Sequence, residues 1–228
     1  MKQIIYFIRH GETILNAQGI RQGSEGSLSQ QGIAQTLDIA RRFPKKHGKP
    51  HVILSSPYQR TMETSKIIAS ELEIDVDDIK YSDLLKERRN PTEIIGRSGK
   101  EEKVKMILDI IDKSFHDDNF RYSDEENFID LKKRAKKVLK YIARQNQKRI
   151  IVVTHGIFLK VLASYITIGD SLTSLDYEKL SIFNHSENAS LTVVTHVPHW
   201  FKKDEWEILV WNSVMGDNYV ENENKTVL

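Results

Sequence analysis

Apolar residues follow two different spacings along this chain. Short unbroken runs, IIYFI at 4–8, HVILS at 51–55 and IIVVT at 150–154, predict buried strands. Apolar residues recurring every three or four positions predict helices. Ile33, Leu37, Ala40 and Phe43 place one over 30–43, with Ser29 as its N-cap and the stretch from Pro44 to Pro50 ending it. Ile67, Ile68 and Leu72 form the apolar side of a second, opened by Ser56-Pro57 with the proline as first helical residue. Further helices are predicted near 100–115, over 126–146 (Phe128, Leu131, Ala135, Val138, Leu139, Ile142) and over IFLKVLASYI at 157–166. Residues 17–28 are polar with three glycines and predict a loop. A short third strand is expected within 78–85. Two more, at 189–196 and 206–212, are joined by a loop, and the polar stretch 217–228 is expected to fray.

Strands alternating with amphipathic helices predict an α/β fold: a mostly parallel central sheet with helices on both faces. The 228 residues are expected to form one domain. Segment 82–148 differs in character, with 17 basic against 13 acidic residues and two helices, and reads as an inserted helical lid. Its KKRAKK run at 132–137 reads as a solvated face rather than a partner-binding patch.

Charge and composition narrow the function classes. Lys plus Arg is 34 against 32 for Asp plus Glu, which argues against a dedicated nucleic-acid binder. The chain has no cysteine, so disulfides, thiolate catalysis and cysteine-based zinc sites are excluded together. That fits a reducing, cytoplasmic location. The five-residue apolar run near the N-terminus is too short for a signal peptide or a membrane span, so no membrane partner is expected.

The chemistry gathers where three strands end. The first delivers Arg9-His10-Gly11, the second Ser56-Pro57 with Arg60 one turn on, and the third His155-Gly156. Open α/β sheets bind ligands outside the carboxyl ends of their strands. If these three strands are parallel neighbours, Arg9, His10, Arg60 and His155 meet in one crevice. A cation in the first turn of a helix opposes the helix dipole unless an anion sits there too. Guanidinium groups match phosphate oxygens, and a neutral imidazole can attack phosphorus. A metal site is the competing reading for two histidines, but no carboxylate–histidine pattern of metal spacing accompanies either. His47, His51, His116 and His185 have no companions that single them out, and His196 and His199 read as part of a hairpin loop.

RHGETILN (9–16), LSQQG (28–32), SSPYQRTMETS (55–65) and VTHG (153–156), in that order, resemble the histidine phosphatase superfamily, the phosphoglycerate mutase-like group. The resemblance implies that His10 is a nucleophile passing through a phosphohistidine. Arg9, Arg60 and His155-Gly156 would hold the phosphate, with Asn16 and Gln22 lining the pocket and Thr13 and Thr64 as lesser candidates. It implies no metal and no cofactor. Glu87, in Leu85-Lys86-Glu87, matches the general acid/base, with Glu93 the second candidate and Asp83 the third. Arg88, Arg89 and Arg97 lie where a second anionic group of the substrate could be held. ILNAQGIRQGSEGSLS, at 14–29, has no Trp or Phe, which favours the phosphatase branch over a cofactor-dependent phosphoglycerate mutase. A phosphate-binding or scaffold protein with little turnover is a further alternative. The expected partner is a small phosphorylated substrate, and the expected assembly a monomer or homodimer.

Overall fold

The structure is a computed structural model in which residues 1–180, 183 and 185–214 are described. The polar stretch 217–228 lies outside the described residues. The three apolar runs become neighbouring parallel strands. They are β1 (Gln3–Arg9), β2 (Val52–Ser55) and β4 (Arg149–Thr154), in a six-stranded sheet of order β3-β2-β4-β1-β5-β6. β3 (Lys80–Tyr81) extends the parallel part, β5 (Leu191–Val197) runs antiparallel to β1, and β6 (Glu205–Ser213) runs antiparallel to β5. Register is what builds the site: Val153 of β4 lies opposite both Ile8 of β1 and Ser55 of β2. The residues that follow, His10, His155 and Ser56, therefore leave the sheet side by side.

Alternation along β1 splits the core in two, because successive side chains of a strand face opposite sides. Ile4, Tyr6 and Ile8 pack with Ala40 and Phe43 of α2 (Gln30–His47) and with Ile68 of α3 (Gln59–Glu71). Ile5 and Phe7 pack with Leu131, Val138 and Ile142 of α5 (Phe128–Ala143) and with Phe158 and Leu162 of α6 (Gly156–Ile168).

Several boundaries differ from expectation. α2 continues through Pro44 to His47. The proline removes only one donor near the helix end, and Gly48, at φ 68°, closes the helix by donating its N–H to the Pro44 carbonyl at 3.1 Å. α3 starts at Gln59, with Tyr58 as N-cap, so Pro57 precedes the helix rather than opening it. The chain there is occupied by a turn in which the Tyr58 N–H donates to Ser56 Oγ at 3.3 Å. The strand expected within 78–85 shrinks to Lys80–Tyr81 between short 3₁₀ turns.

Segment 82–148 is divided. The apolar face of α5 lies wholly within the larger cluster, so this helix is a covering layer of the sheet rather than part of a lid. What stands apart is a small cluster of Ile94 with Val104, Ile107 and Ile111 of α4 (Glu102–Lys113). Backbone bonds join it to the glycine loop: Arg21 N–H to Arg97 O at 2.9 Å and Gly96 N–H to Arg21 O at 2.8 Å. KKRAKK is divided as well, because the Arg134 side chain is only 12% exposed.

Candidate active site

His10 follows β1 directly and is 3% exposed. Its Nδ1 lies 2.7 Å from the Gly11 carbonyl, which can only accept, so Nδ1 carries the hydrogen and the Nε2 lone pair points elsewhere. Burial, then the charges of Arg60 and Arg9, hold the His10 pKa well below its ordinary value. The ring is thus neutral and nucleophilic. Gly11 and Gly32 permit this approach: a Cβ on Gly11 would meet Gly32 O at 2.5 Å, and one on Gly32 would meet Glu12 O at 2.0 Å. The LSQQG segment is there to let the start of α2 close against the His10 turn.

His155 caps β4 and is fully buried, its ring 5.2 Å from that of His10. Arg60 Nε donates to His155 Nδ1 at 3.2 Å, so Nδ1 is the unprotonated nitrogen. His155 Nε2 then donates to Ser56 Oγ at 2.8 Å. Burial, followed by Arg60, holds the His155 pKa well below the ordinary value, so this ring is neutral too. Arg60 Nη1 donates to Gly23 O at 2.9 Å, drawing the glycine loop over the site. Arg9 donates to Ser186 O, and a Cβ on Gly156 would sit 3.2 Å from Arg9 Nε. Glycine at the start of α6 therefore lets the guanidinium lie against the helix. Burial lowers the pKa of both arginines, and the nearby Glu87 charge opposes that.

Glu87 meets this cluster from the opposite wall. Its carboxylate accepts from the N–H groups of Ile157 at 3.1 Å, Phe158 at 2.9 Å and Arg88 at 2.9 Å, so it caps the N-terminus of α6. The other two carboxylates lie elsewhere. Glu93 pairs with Lys103 at 3.2 Å and Asp83 with Lys86 at 3.0 Å, both exposed. Thr13, Asn16 and Gln22 form one network beside the site. The Thr13 hydroxyl donates to Gln22 Oε1 at 3.0 Å and accepts from Asn16 N–H at 2.9 Å. Thr64 Oγ1 accepts from the Gly11 N–H at 3.2 Å, holding the turn.

The second-anion candidates separate. Arg89 is turned outward onto Asp124 O, and Arg97 is paired with Glu101 at 2.8 Å, so neither faces the site. Arg88 does face inward, into a cavity of about 350 Å³ that it lines with Arg21, Phe115, Ile157 and Tyr177. Arg21 has a buried Nε without a hydrogen-bond partner, and beyond its burial the charge of Arg88 pulls its pKa down.

Three functional contacts escaped sequence reasoning. Ser56 receives the His155 Nε2–H on its hydroxyl, although it stood within a recognised motif. Ser186 and Asn188 hold Arg9 and the His10 carbonyl from a loop without a pattern of its own. Arg134 clamps the Glu87 segment: it donates to the carbonyls of Lys86 at 2.6 Å and Glu87 at 3.3 Å, forms a bidentate pair with Glu126, and lies 3.9 Å over the Phe158 ring. A signal for it existed, since Arg134 lies three residues after Leu131 and four before Val138, on the apolar stripe. Among the described residues no group of three or more His, Asp or Glu is placed to hold a metal ion.

Comparison with known proteins agrees with this geometry. A metal-independent phosphoserine phosphatase of Arabidopsis thaliana is 31% identical over 218 residues, covering 92% of this chain and 81% of the relative. A probable phosphoglycerate mutase GpmB of Erwinia tasmaniensis is 29% identical over 165 residues, 71% of this chain and 74% of the relative. The structure of a mycobacterial glucosyl-3-phosphoglycerate phosphatase in complex with VO3 superposes with a TM-score of 0.73 at 20% identity, covering 92% of this chain and 99% of the other. The family model of the histidine phosphatase superfamily (branch 1) matches residues 5–214, and the chain belongs to that superfamily.

Proposed function

We propose that this protein is a phosphomonoesterase working by two displacements at phosphorus. In the first, the His10 Nε2 lone pair attacks phosphorus. The ester P–O bond breaks, and the leaving alkoxide takes the proton that Glu87 carries in its acid form, leaving the carboxylate on the Ile157 and Phe158 N–H groups. In the second, Glu87 takes a proton from water, whose oxygen attacks phosphorus, and the P–N bond breaks to release inorganic phosphate and neutral His10. Arg9 and Arg60 hold the phosphoryl oxygens as charge spreads over them, and His155, whose Nδ1 accepts from Arg60 Nε, fixes that guanidinium. The observation that carries this reading is the protonation pattern of His10: hydrogen fixed on Nδ1 by Gly11 O, with a neutral ring between two buried arginines.

The cavity lined by Arg21 and Arg88 adjoins Glu87 through Arg88 and Ile157, which supports placing the alcohol half of the ester there. Arg21 and Arg88 suit a carboxylate on that half, with Asp112 and Glu178 lining the same cavity. The names of the relatives, phosphoserine phosphatase and phosphoglycerate mutase, both specify such esters. The test is a phosphoester panel in the presence of a chelator. It includes an aryl phosphate, O-phosphoserine, and 3-phosphoglycerate with and without 2,3-bisphosphoglycerate. Phosphate release that survives the chelator and is lost in His10→Ala is the expected result. Isomerisation of phosphoglycerate without net phosphate release would make the protein a mutase. Phosphate binding with no turnover on any ester would make it a binding protein.

A further inference from the structure

The end of the sheet away from the active site has features that catalysis does not use. β5 runs antiparallel to β1, with Leu191 opposite Ile8 and His196 opposite Gln3. The hairpin loop 198–204 between β5 and β6 therefore lies where the parallel strands begin, at the far end from His10. Its tip carries Trp200 and Phe201, 97% and 103% exposed. The loop is held in shape from below: Asp204 accepts from the His199 N–H at 3.1 Å and meets buried His196 Nε2 at 2.9 Å, while His196 stacks on Trp206. Two adjacent aromatics are thus presented to solvent on a braced loop.

Charge gathers at the same end. The segments leading into β1, β2, β4 and β6 all lie there, and they carry the exposed cations Lys2, Lys45, Lys49, Arg144 and Lys148, while Lys203 is paired with Asp170 at 3.4 Å. The exposed acids Glu73, Asp75 and Asp77 lead into β3, at the opposite edge of the sheet from the hairpin, where Lys49 Nζ donates to the Glu73 carbonyl at 3.3 Å. Asp204 and Glu205 are engaged by His196, His199 and Lys202. A molecule of net charge +2 therefore has a cationic end beside its exposed aromatic tip.

We propose that this end docks on an anionic lipid bilayer, with Trp200 and Phe201 entering the interface and the surrounding cations facing the headgroups. Aromatic side chains and lysines together are the residues that settle at a membrane surface. The aromatics sit at a projecting tip, and the cations are spread over several connections. That arrangement fits a broad, charge-diffuse partner better than a strand of nucleic acid, which needs a groove with stacking platforms. The absence, among the described residues, of any helix long and apolar enough to cross a membrane is compatible with surface docking. The active site would then face away from the bilayer, and the sequence-based expectation of no membrane partner would hold only for a membrane span.

The test is co-sedimentation of the full chain with vesicles of phosphatidylcholine alone and of phosphatidylcholine with phosphatidylserine. Binding is expected only to the phosphatidylserine vesicles and should weaken with salt. The double change Trp200→Ala, Phe201→Ala is expected to lower the bound-to-free ratio about tenfold or more, as is the separate change Lys45→Glu, Lys148→Glu. Thermal unfolding of the variants should match that of the parent, since none of these side chains is buried. No binding to phosphatidylserine vesicles, or equal binding to both kinds, would overturn the proposal. So would a single-stranded RNA oligonucleotide, or a second copy of the chain, taking the place of vesicles and being lost with the same changes.

Discussion

At the scale of single residues, the site depends on which atoms hold hydrogens, and neighbouring groups outside the cluster decide that. Gly11 O sets His10, and Arg60 sets His155, whose Nε2–H then goes to Ser56. Arg134 extends the principle to Glu87, the proposed acid. Its planar fork spans three carbonyls of the Glu87 segment, those of Leu84, Lys86 and Glu87, and both oxygens of Glu126, a geometry that lysine cannot reproduce. Arg134→Lys is therefore expected to lower kcat by about ten- to a hundredfold with a smaller change in KM, because a displaced acid costs rate rather than ground-state binding. Steady-state kinetics on an aryl phosphate check this, and an unchanged kcat would show that Glu87 keeps its place without the clamp.

At the scale of elements, α2 ends on a histidine packed into the core. His47 is 4% exposed, with its ring 5.0 Å from those of both Tyr6 and Phe43. Burial, and then Lys46, lower its pKa to about 4. The unfolded chain therefore binds a proton that the folded chain refuses between about pH 6.5 and about pH 4. Stability from this group is present in full above about pH 6.5 and is lost as pH falls through that window. His10 and His155 act in the same direction, since both are also lowered from 6.5. Melting temperatures are expected to fall with acidification across this range, and His47→Leu to flatten part of that slope. A slope unaltered by the substitution would locate the acid sensitivity in His10, His155 and the paired carboxylates instead.

At the scale of the molecule, the packing has two tiers. α5 is part of the main cluster through Leu131, Val138 and Ile142, whereas α4 buries Val104, Ile107 and Ile111 in a small cluster of its own. Small clusters open at lower free energy than the core they lean on. Leu131→Ala is expected to cost about 2–5 kcal/mol in global unfolding measured with denaturant. In native-state hydrogen exchange, the amides of Glu102–Lys113 should exchange through a cheaper opening than those of β1 and β4. Equal protection in both would show that cap and core open as one unit.

Local spacing alone determined much of this protein. Unbroken apolar runs specified the three central strands, because a strand covered on both faces tolerates few polar residues. Their polar successors, Arg9-His10, Ser56 with Arg60, and His155, marked the site before any geometry was known. Only the tertiary structure decided where side chains turn. The sequence ranked Glu87 ahead of Glu93 and Asp83, but only the fold set its carboxylate on the N-terminal N–H groups of α6 and paired the other two with Lys103 and Lys86. Arg89 parted from Arg88 because the Asp124 carbonyl, 35 residues on, claimed it, whereas the Arg97–Glu101 pair is a local i, i+4 contact. The division of 82–148 into a core helix and a small cap likewise needed long-range packing, since both helices show the same apolar period. A charged side chain's partners are set by which elements the fold brings within a few ångströms of it. That information resides in the pairing of distant segments, not in the residues next to it.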